Sequence, residues 1–172
     1  SNYLKWDSNT SCLVKKANSR MQLLRKVANF GPPEEDLKDI YILFVRSILE
    51  QSATVWHSSL TEENSNNFER VQKSAIKIIL KDKYPGYKQG LAKLGLESLK
   101  SRRENLCLNF AKKCVKSDKL QHMFPKNIKS HDMNTRQEEK YNVQFANTER
   151  LQNSPIIYMQ KLLNTDYLKK QS

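Results

Sequence analysis

Basic residues repeat at helical spacing in the middle of this 172-residue chain. They are Arg70, Lys73, Lys77 and Lys81, at intervals of three or four positions. This interval places the four side chains on one face of a helix, where they could bind nucleic-acid phosphates and release condensed counterions. The alternative is an ordinary solvated face, because charge on exposed helix faces is the norm. We take Arg70, Lys73 and Lys77 as candidate nucleic-acid contacts.

Two further segments are rich in cations. The earlier one contains Lys15, Lys16, Arg20, Arg25 and Lys26. The later one contains Arg102, Arg103, Lys112, Lys113 and Lys116. Guanidinium groups bind phosphate through paired hydrogen bonds, but neighbours on a helix point about 100° apart. We therefore expect either Arg102 or Arg103 to pair with Glu104 or a helix end. The earlier segment, both arginines, Lys112 and Lys113 complete the candidate set.

Four residues of the second half have zinc-binding side chains. They are Cys107, Cys114, His122 and His131, separated by six, seven and eight residues. Zinc sites usually bring two thiolates together within a tight Cys-x2–4-Cys turn, which this spacing does not provide. Cys107 and Cys114 are instead predicted to face a core from one helix. We expect no metal and no cofactor in this chain.

Residue patterns for catalysis are also lacking. Two-metal catalysis needs paired carboxylates that hold two divalent metals, and the sequence contains no Asp-Asp pair. His57 has no Cys or Asp in a triad-like context, and we expect it to donate to a neighbouring backbone carbonyl. Trp56 falls at core spacing, which favours a buried ring over one stacked on a base. No residue is predicted to be catalytic.

The overall charge points to a polyanionic partner. Thirty Lys and Arg residues against 18 Asp and Glu give a net charge of +12, and nucleic acid is the default ligand of such a field. No apolar run reaches the roughly 18 residues that span a bilayer, so a membrane is not expected. Three scattered cysteines favour a reducing intracellular compartment, nucleus or cytoplasm. The Ser-Asn start, without a signal-like segment, is interpreted as the start of an internal fragment.

The elements that would position these residues are predicted to be helices. Four glycines and 38% hydrophobic residues disfavour both disorder and a many-stranded β fold. Apolar residues recur at helical spacing over four stretches, about 10–30, 34–58, 62–81 and 99–117. The second stretch is the most apolar, and Phe44 at its centre is predicted to be a core residue. On the fourth, Leu106 and Phe110 are predicted to face inward.

Beyond these helices the pattern weakens. Residues 118–150 are polar and predicted to be mostly loop, although 141–145 would allow a short strand. Ser154-Pro155 is expected to begin a last helix that runs to about Asn164. The predicted fold is therefore an all-α helical bundle with a loop-rich C-terminal tail.

Several strings resemble one protein family when they are taken in order. They are VKKANSRMQLLRKVANFG (14–31), YILFVRSILEQSATVWHSSLT (41–61), NNFERVQKSAIKIIL (66–80) and LGLESLKSRRENLCLNFAKK (94–113). Each alone is an amphipathic helix, but their order resembles the region after the palm in LINE-type (non-LTR retrotransposon) reverse transcriptases of the jockey-like sort. The resemblance covers about 1–125, and the string at 150–164 is less specifically similar to the family's C-terminal end.

This resemblance implies a domain organisation and a role. Residues 1–9 would be the end of the upstream palm, 10–117 a thumb-like helical domain, and 118–172 an irregular extension with a terminal helix. A thumb grips the template–primer duplex, so the expected partner is RNA, an RNA–DNA hybrid or DNA, together with the palm of the same polypeptide. The family's aspartate pair lies upstream of the matched region, so the divalent metals of an RNA-directed DNA polymerase would belong to the palm.

Two alternatives remain open at this point. The chain could be a retrotransposon-derived helical module for protein interaction, with a charge that only favours solubility. A large exposed apolar patch would support that interpretation, whereas a contiguous basic face would support nucleic-acid binding. An independent nuclease or hydrolase is the least favoured, because no cluster of acids or histidines could hold a metal.

Overall fold

Every regular element in the described part of the chain is helical. The structure is a computed structural model, and it describes residues 6–127 and 140–170. Within these ranges there is no strand, only an isolated antiparallel bridge between Lys126 and Tyr141. The all-α prediction is confirmed, and the short strand allowed at 141–145 does not form.

Each of the four predicted periodic stretches forms one helix, with one exception. The helices are α1 (Asp7–Ala28), α2 (Glu34–Ile40), α3 (Ser47–Leu49), α4 (Ala53–Trp56), α5 (Glu62–Leu80), α6 (Tyr87–Leu94), α7 (Leu99–Lys116), α8 (Glu149–Gln152) and α9 (Pro155–Lys169). The exception is the stretch 34–58, which is broken into α2, a π-helical segment (Tyr41–Arg46), α3 and α4. The last helix runs five residues beyond its predicted end.

These elements form two compact units. The first contains residues 6–53 and Leu60–Arg103, and the second contains Thr54–Ser59 and the described residues from Glu104 onward. The division lies inside α7 rather than at the expected boundary of 117. Of the nine residues expected to end a palm, 1–5 lie outside the described residues, and α1 already begins at Asp7.

The first unit is built on α1 and α5, which run parallel. Near their N-terminal ends, the Asn64 side-chain amide donates to Asp7 Oδ1 over 2.7 Å. At the other end, Lys81 Nζ donates to the carbonyl oxygen of Ala28 over 2.8 Å. A cation is favourable there, because helix C-termini carry partial negative charge. Lys81 therefore stabilises the C-terminal end of α1. Because its side chain is bound there, it does not act with Arg70, Lys73 and Lys77, although its spacing had grouped it with them.

The broken second stretch buries a column with a spacing of four residues. Leu37, Tyr41, Val45, Leu49 and Ala53 are all buried. In a regular α-helix each step of four overshoots a full turn by about 40°, and the wider π turn compensates for that drift.

Phe44 therefore does not lie in the core as predicted. The π-helical segment turns it outward, and 47% of its surface is exposed, beside Leu43 at 66%.

A partly buried polar network joins the π-helical segment to α5, α6 and the start of α7. The Tyr41 hydroxyl donates to Gln72 Oε1 over 2.7 Å, and Gln72 Nε2 donates to the Glu97 carbonyl over 2.8 Å. Tyr87 donates to Glu69, which in turn accepts the Lys100 backbone N–H over 2.8 Å. Burial raises the pKa of Tyr41 well above its usual value, so this tyrosine remains a neutral donor.

Helix α6 packs closely on α5 through a glycine. Gly90 is buried, and a Cβ built on it would lie 2.7 Å from Cγ2 of Ile76. The C-terminus of α6 is closed by Gly95 in the left-handed conformation, with φ of 62°. At the start of α5, the Thr61 hydroxyl accepts the Asn64 N–H over 3.2 Å and caps the helix.

The second unit has a core of its own. Cys107, Ala111 and Cys114 of α7 pack with Phe124, Tyr141, Met159 and Leu163. Over residues 118–127 and 140–170, the tail contributes side chains to this core and contains α8 and α9. Trp56 is buried as predicted. Phe110, predicted to face inward, is 43% exposed because the buried column of α7 runs through Cys107, Ala111 and Cys114.

Two polar side chains of α9 hold the extended segments of this unit. Asn164 accepts the Tyr141 N–H and donates to the Tyr141 carbonyl, each over 2.9 Å. One turn earlier, Gln160 donates to the Met123 carbonyl over 2.8 Å and accepts the Gln144 N–H over 3.2 Å. Both side chains are buried, so α9 fixes the backbone around Tyr141.

Candidate nucleic-acid interface

The basic residues of α5 share one exposed face. Arg70, Lys73 and Lys77 are all exposed, and 100° steps place them within about 60° of one another, opposite the buried face. Arg70 donates to the Asn67 side chain over 3.0 Å, and Lys77 Nζ lies 5.6 Å from the ring centroid of Tyr84. Within the described ranges, no carboxylate lies within ion-pair distance of the three cations. This α5 basic face (Arg70, Lys73 and Lys77) therefore has no acidic counter-ion among the described residues.

The cations of α1 are exposed but point in several directions. Lys15 and Lys26 lie roughly opposite the buried stripe, whereas Lys16, Arg20 and Arg25 lie on its two flanks, about 60–100° away. All five are exposed. They add positive potential to the first unit without forming a single row.

Arg102 is engaged by a carboxylate inside the first unit. Its Nε donates to Glu50 Oε1 and its terminal nitrogen to Glu50 Oε2, the latter over 3.3 Å. Arg46 lies 3.7 Å from the same carboxylate. One arginine of the pair was expected to bind Glu104 or a helix end, but the partner of Arg102 is Glu50.

Arg103 is in the interior and is not available to a surface ligand. Its side chain is fully buried, stacks over Phe68 with 5.2 Å to the ring centroid, and donates to Ser65 Oγ over 2.8 Å. The reason is its position in the inward column of α7, four residues after Leu99 and four before Cys107. That spacing was the signal in the sequence that distinguishes it from Arg102.

The remaining two candidates lie in the second unit. Lys113 is exposed. Lys112 is partly exposed, and its Nζ lies 3.0 Å from Asp166 Oδ2. Lys112 also lines a cleft that sequence analysis did not identify.

This cleft, the α7–α9 cleft, has a volume of about 390 Å³ and is lined by basic and aromatic residues. Its polar and aromatic lining consists of Lys112, Lys116, Lys140, Tyr141, Asp166, Tyr167 and Lys170. Val115 and Leu163 add apolar surface. The lining residues come from segments about 50 residues apart in the sequence, so no local sequence pattern could predict the cleft.

The residues with zinc-binding side chains that the structure describes do not form a metal site. Cys107 and Cys114 lie in the apolar core of the second unit, and burial raises the pKa of the Cys114 thiol, which disfavours a metal-binding thiolate. His131 lies outside the described residues. In the ranges 6–127 and 140–170, no three His, Cys, Asp or Glu side chains are grouped so as to hold a metal ion.

Comparison with known proteins returned no relatives. No protein-family model, no curated protein and no solved structure matches this chain.

None of the helices in the described ranges is both long and apolar enough to cross a bilayer.

Proposed function

We propose that this chain binds nucleic acid through phosphates, without base specificity, as the duplex-gripping thumb segment of a LINE-type reverse transcriptase. The observation that supports this most directly is the α5 basic face, which carries three exposed cations and no internal counter-ion in the described residues. The five exposed cations of α1 and the net charge of +12 add to the same field. Binding by phosphate contact orients a protein on nucleic acid but reads no sequence.

The family assignment within this proposal rests on the ordered strings of residues 14–113. An RNA-directed DNA polymerase would take its catalytic metals and aspartates from a palm, and this segment would serve as the non-catalytic grip on an RNA–DNA hybrid. Such a role would place the protein in the nucleus or cytoplasm.

The salt dependence of binding tests the proposal. Affinity of the 172-residue chain for a blunt RNA–DNA hybrid duplex would be measured by fluorescence anisotropy from low to physiological salt. We expect little difference between duplex sequences, and a linear fall of log K with log salt whose slope indicates that several phosphates are bound. An affinity unchanged over that range, or no binding at low salt, would contradict the proposal.

One observation supports a second candidate, a protein-docking role. Leu43 and Phe44 are consecutive exposed apolar residues of the π-helical segment, 66% and 47% exposed, and π turns are frequent at functional sites. A docked protein, such as a palm domain of the same polypeptide, would cover them. Replacing both with Ser in the 172-residue chain would leave hybrid binding unchanged if they serve only such a partner, and would weaken it if they belong to the grip.

A further inference from the structure

We infer that the α7–α9 cleft of the second unit binds one nucleotide of a single-stranded nucleic acid, holding its phosphate with lysines and its base against a tyrosine. The inference rests on the proposed nucleic-acid binding but assigns a separate site with a different ligand form. It uses residues that the duplex-gripping proposal does not need.

The charges of the cleft are arranged around one carboxylate. Asp166 Oδ2 lies 3.0 Å from Lys112 Nζ and 3.1 Å from Lys170 Nζ. These hydrogen bonds, that from Lys112 first, lower the pKa of Asp166, so the acid stays ionised and fixes both ammonium groups. Each ammonium has three N–H donors, and the contact with Asp166 leaves donors on both for a ligand.

Two more lysines of the cleft have no carboxylate partner in the described ranges. Lys116 lies one helical turn after Lys112 and therefore on the same face. Lys140 Nζ lies 5.1 Å from the ring centroid of Tyr167 and 5.9 Å from that of Tyr141. Four lysines against one aspartate leave the lining with an excess of three positive charges, and a bound phosphate would reduce that repulsion.

The aromatic wall is held in place by the fold. Both backbone polar groups of Tyr141 are bound by the Asn164 side chain. Tyr167 lies on α9 beside Asp166, is partly exposed, and borders the cleft. A ring that is partly open to solvent and flanked by cations offers a stacking surface, which single-stranded nucleic-acid sites combine with a basic groove.

The size and the mixture of groups decide the ligand class. A volume of about 390 Å³ falls in the range of small-ligand sites, about 300–1,000 Å³. Lysines alone would suit any anion, but the apolar surface of Val115 and Leu163 beside a tyrosine favours an anion that carries a flat ring. In a duplex the bases are stacked on each other, so only a single strand can present one to Tyr167.

The test compares two variants with one control. Lys116→Gln with Lys140→Gln removes two cleft cations without touching the contacts of Asp166, and Tyr167→Leu removes the stacking ring. Lys119→Gln with Lys161→Gln removes two exposed cations of the same unit that do not line the cleft. Anisotropy would be measured with an eight-residue oligouridylate, with an abasic strand of the same length, and with the blunt hybrid duplex.

We expect the lysine pair to weaken oligouridylate binding about tenfold more than the control pair, with duplex affinity nearly unchanged. Tyr167→Leu should lower oligouridylate affinity by roughly 5- to 150-fold, the range for removal of one base stack, and abasic-strand affinity little. Circular dichroism must show both variants folded, and a Tyr167→Leu variant that unfolds is replaced by Tyr167→Met, which also lacks the ring and should show the same selective loss.

Several results would overturn the inference. If the parent chain binds the duplex but not oligouridylate, the cleft site is contradicted and the proposed function still stands. If the parent chain binds neither ligand, both the cleft site and the proposed function are contradicted. Equal affinity for base-bearing and abasic strands contradicts stacking on Tyr167. Equal affinity for an oligoglutamate of the same charge would make the cleft a general anion or acidic-peptide site.

Discussion

Two buried tyrosine hydroxyls of the first unit differ in what surrounds them, and this difference decides the effect of removing each one. The Tyr41 hydroxyl donates to Gln72 over 2.7 Å. The Tyr84 hydroxyl is buried and has no hydrogen-bond partner in the described residues. Removing a buried hydrogen bond costs more when its partner remains unsatisfied, about 1–3 kcal/mol. A buried hydroxyl without a partner is itself unfavourable.

The matched variants Tyr41→Phe and Tyr84→Phe test this difference by urea unfolding. We expect Tyr41→Phe to lower the free energy of unfolding by about 1–3 kcal/mol, and Tyr84→Phe to leave it unchanged or raise it. Each removes one oxygen and keeps the ring, so size does not confound the comparison. Equal decreases would show that the polar network around Gln72 does not contribute as its hydrogen bonds indicate.

Residue chemistry alone was a limited guide to which cations face solvent. Arg102 and Arg103 are adjacent and identical in type, yet one pairs with Glu50 near the surface and the other stacks on Phe68 in the interior. Column spacing along α7 distinguishes them. The residue type does not distinguish them, because the apolar stem of an arginine side chain tolerates burial.

At the scale of elements, the contact between α5 and α6 depends on a missing side chain. A Cβ added at Gly90 would lie 2.7 Å from Cγ2 of Ile76. This distance is too short unless one of the two helices shifts. Alanine in a helix is otherwise better than glycine by about 0.5–1 kcal/mol. Gly90→Ala should nevertheless destabilise the chain, because the usual cost of overpacking, about 1–3 kcal/mol, exceeds this gain.

A double-mutant cycle isolates that contact. Ile76→Ala removes the clashing methyl, so the two substitutions together should cost less than the sum of the single variants. Thermal or urea unfolding of the four proteins would provide the coupling. A stabilising Gly90→Ala, or strict additivity with Ile76→Ala, would contradict the close packing of α6 on α5.

Helices with a regular α-helical period could be predicted from the sequence, whereas the elements that depart from this period could not. α1, α5 and α7 lie within three residues of their expected bounds, because each buries residues at α-helical spacing. Residues 34–58 bury every fourth position through a π turn, so a constant α-helical period wrongly placed Phe44 in the core. With 47% of Phe44 exposed, the expected cost of Phe44→Ala falls below about 1 kcal/mol.

Long-range polar contacts were the other part that sequence did not indicate. The second unit depends on Gln160 and Asn164, which look like surface residues in a polar tail but are buried against the backbone of Met123 and Tyr141. The α7–α9 cleft likewise joins Lys112 to Asp166. Such pairs become visible only when the chain is folded.

For the whole molecule, the central question is whether the net charge of +12 acts as a diffuse field or through a defined face. A diffuse field would respond equally to the removal of any three exposed cations. A defined face would respond to its own residues far more than to others, because a bound phosphate releases counterions locally. The α5 basic face and three other lysines of the first unit allow the two cases to be separated.

The most direct measurement compares two triple variants of the 172-residue chain against a blunt RNA–DNA hybrid duplex. One is Arg70→Gln, Lys73→Gln, Lys77→Gln, and the control is Lys83→Gln, Lys88→Gln, Lys100→Gln, also exposed in the first unit. Both should unfold near the parent midpoint, since exposed charges contribute little to stability. We expect the α5 triple to weaken binding equally across sequences and to reduce the salt slope by about one unit for each phosphate that is no longer bound, while the control barely changes either. An equal decrease in affinity for the two variants, or an α5 triple that binds like the parent, would contradict a nucleic-acid grip on α5.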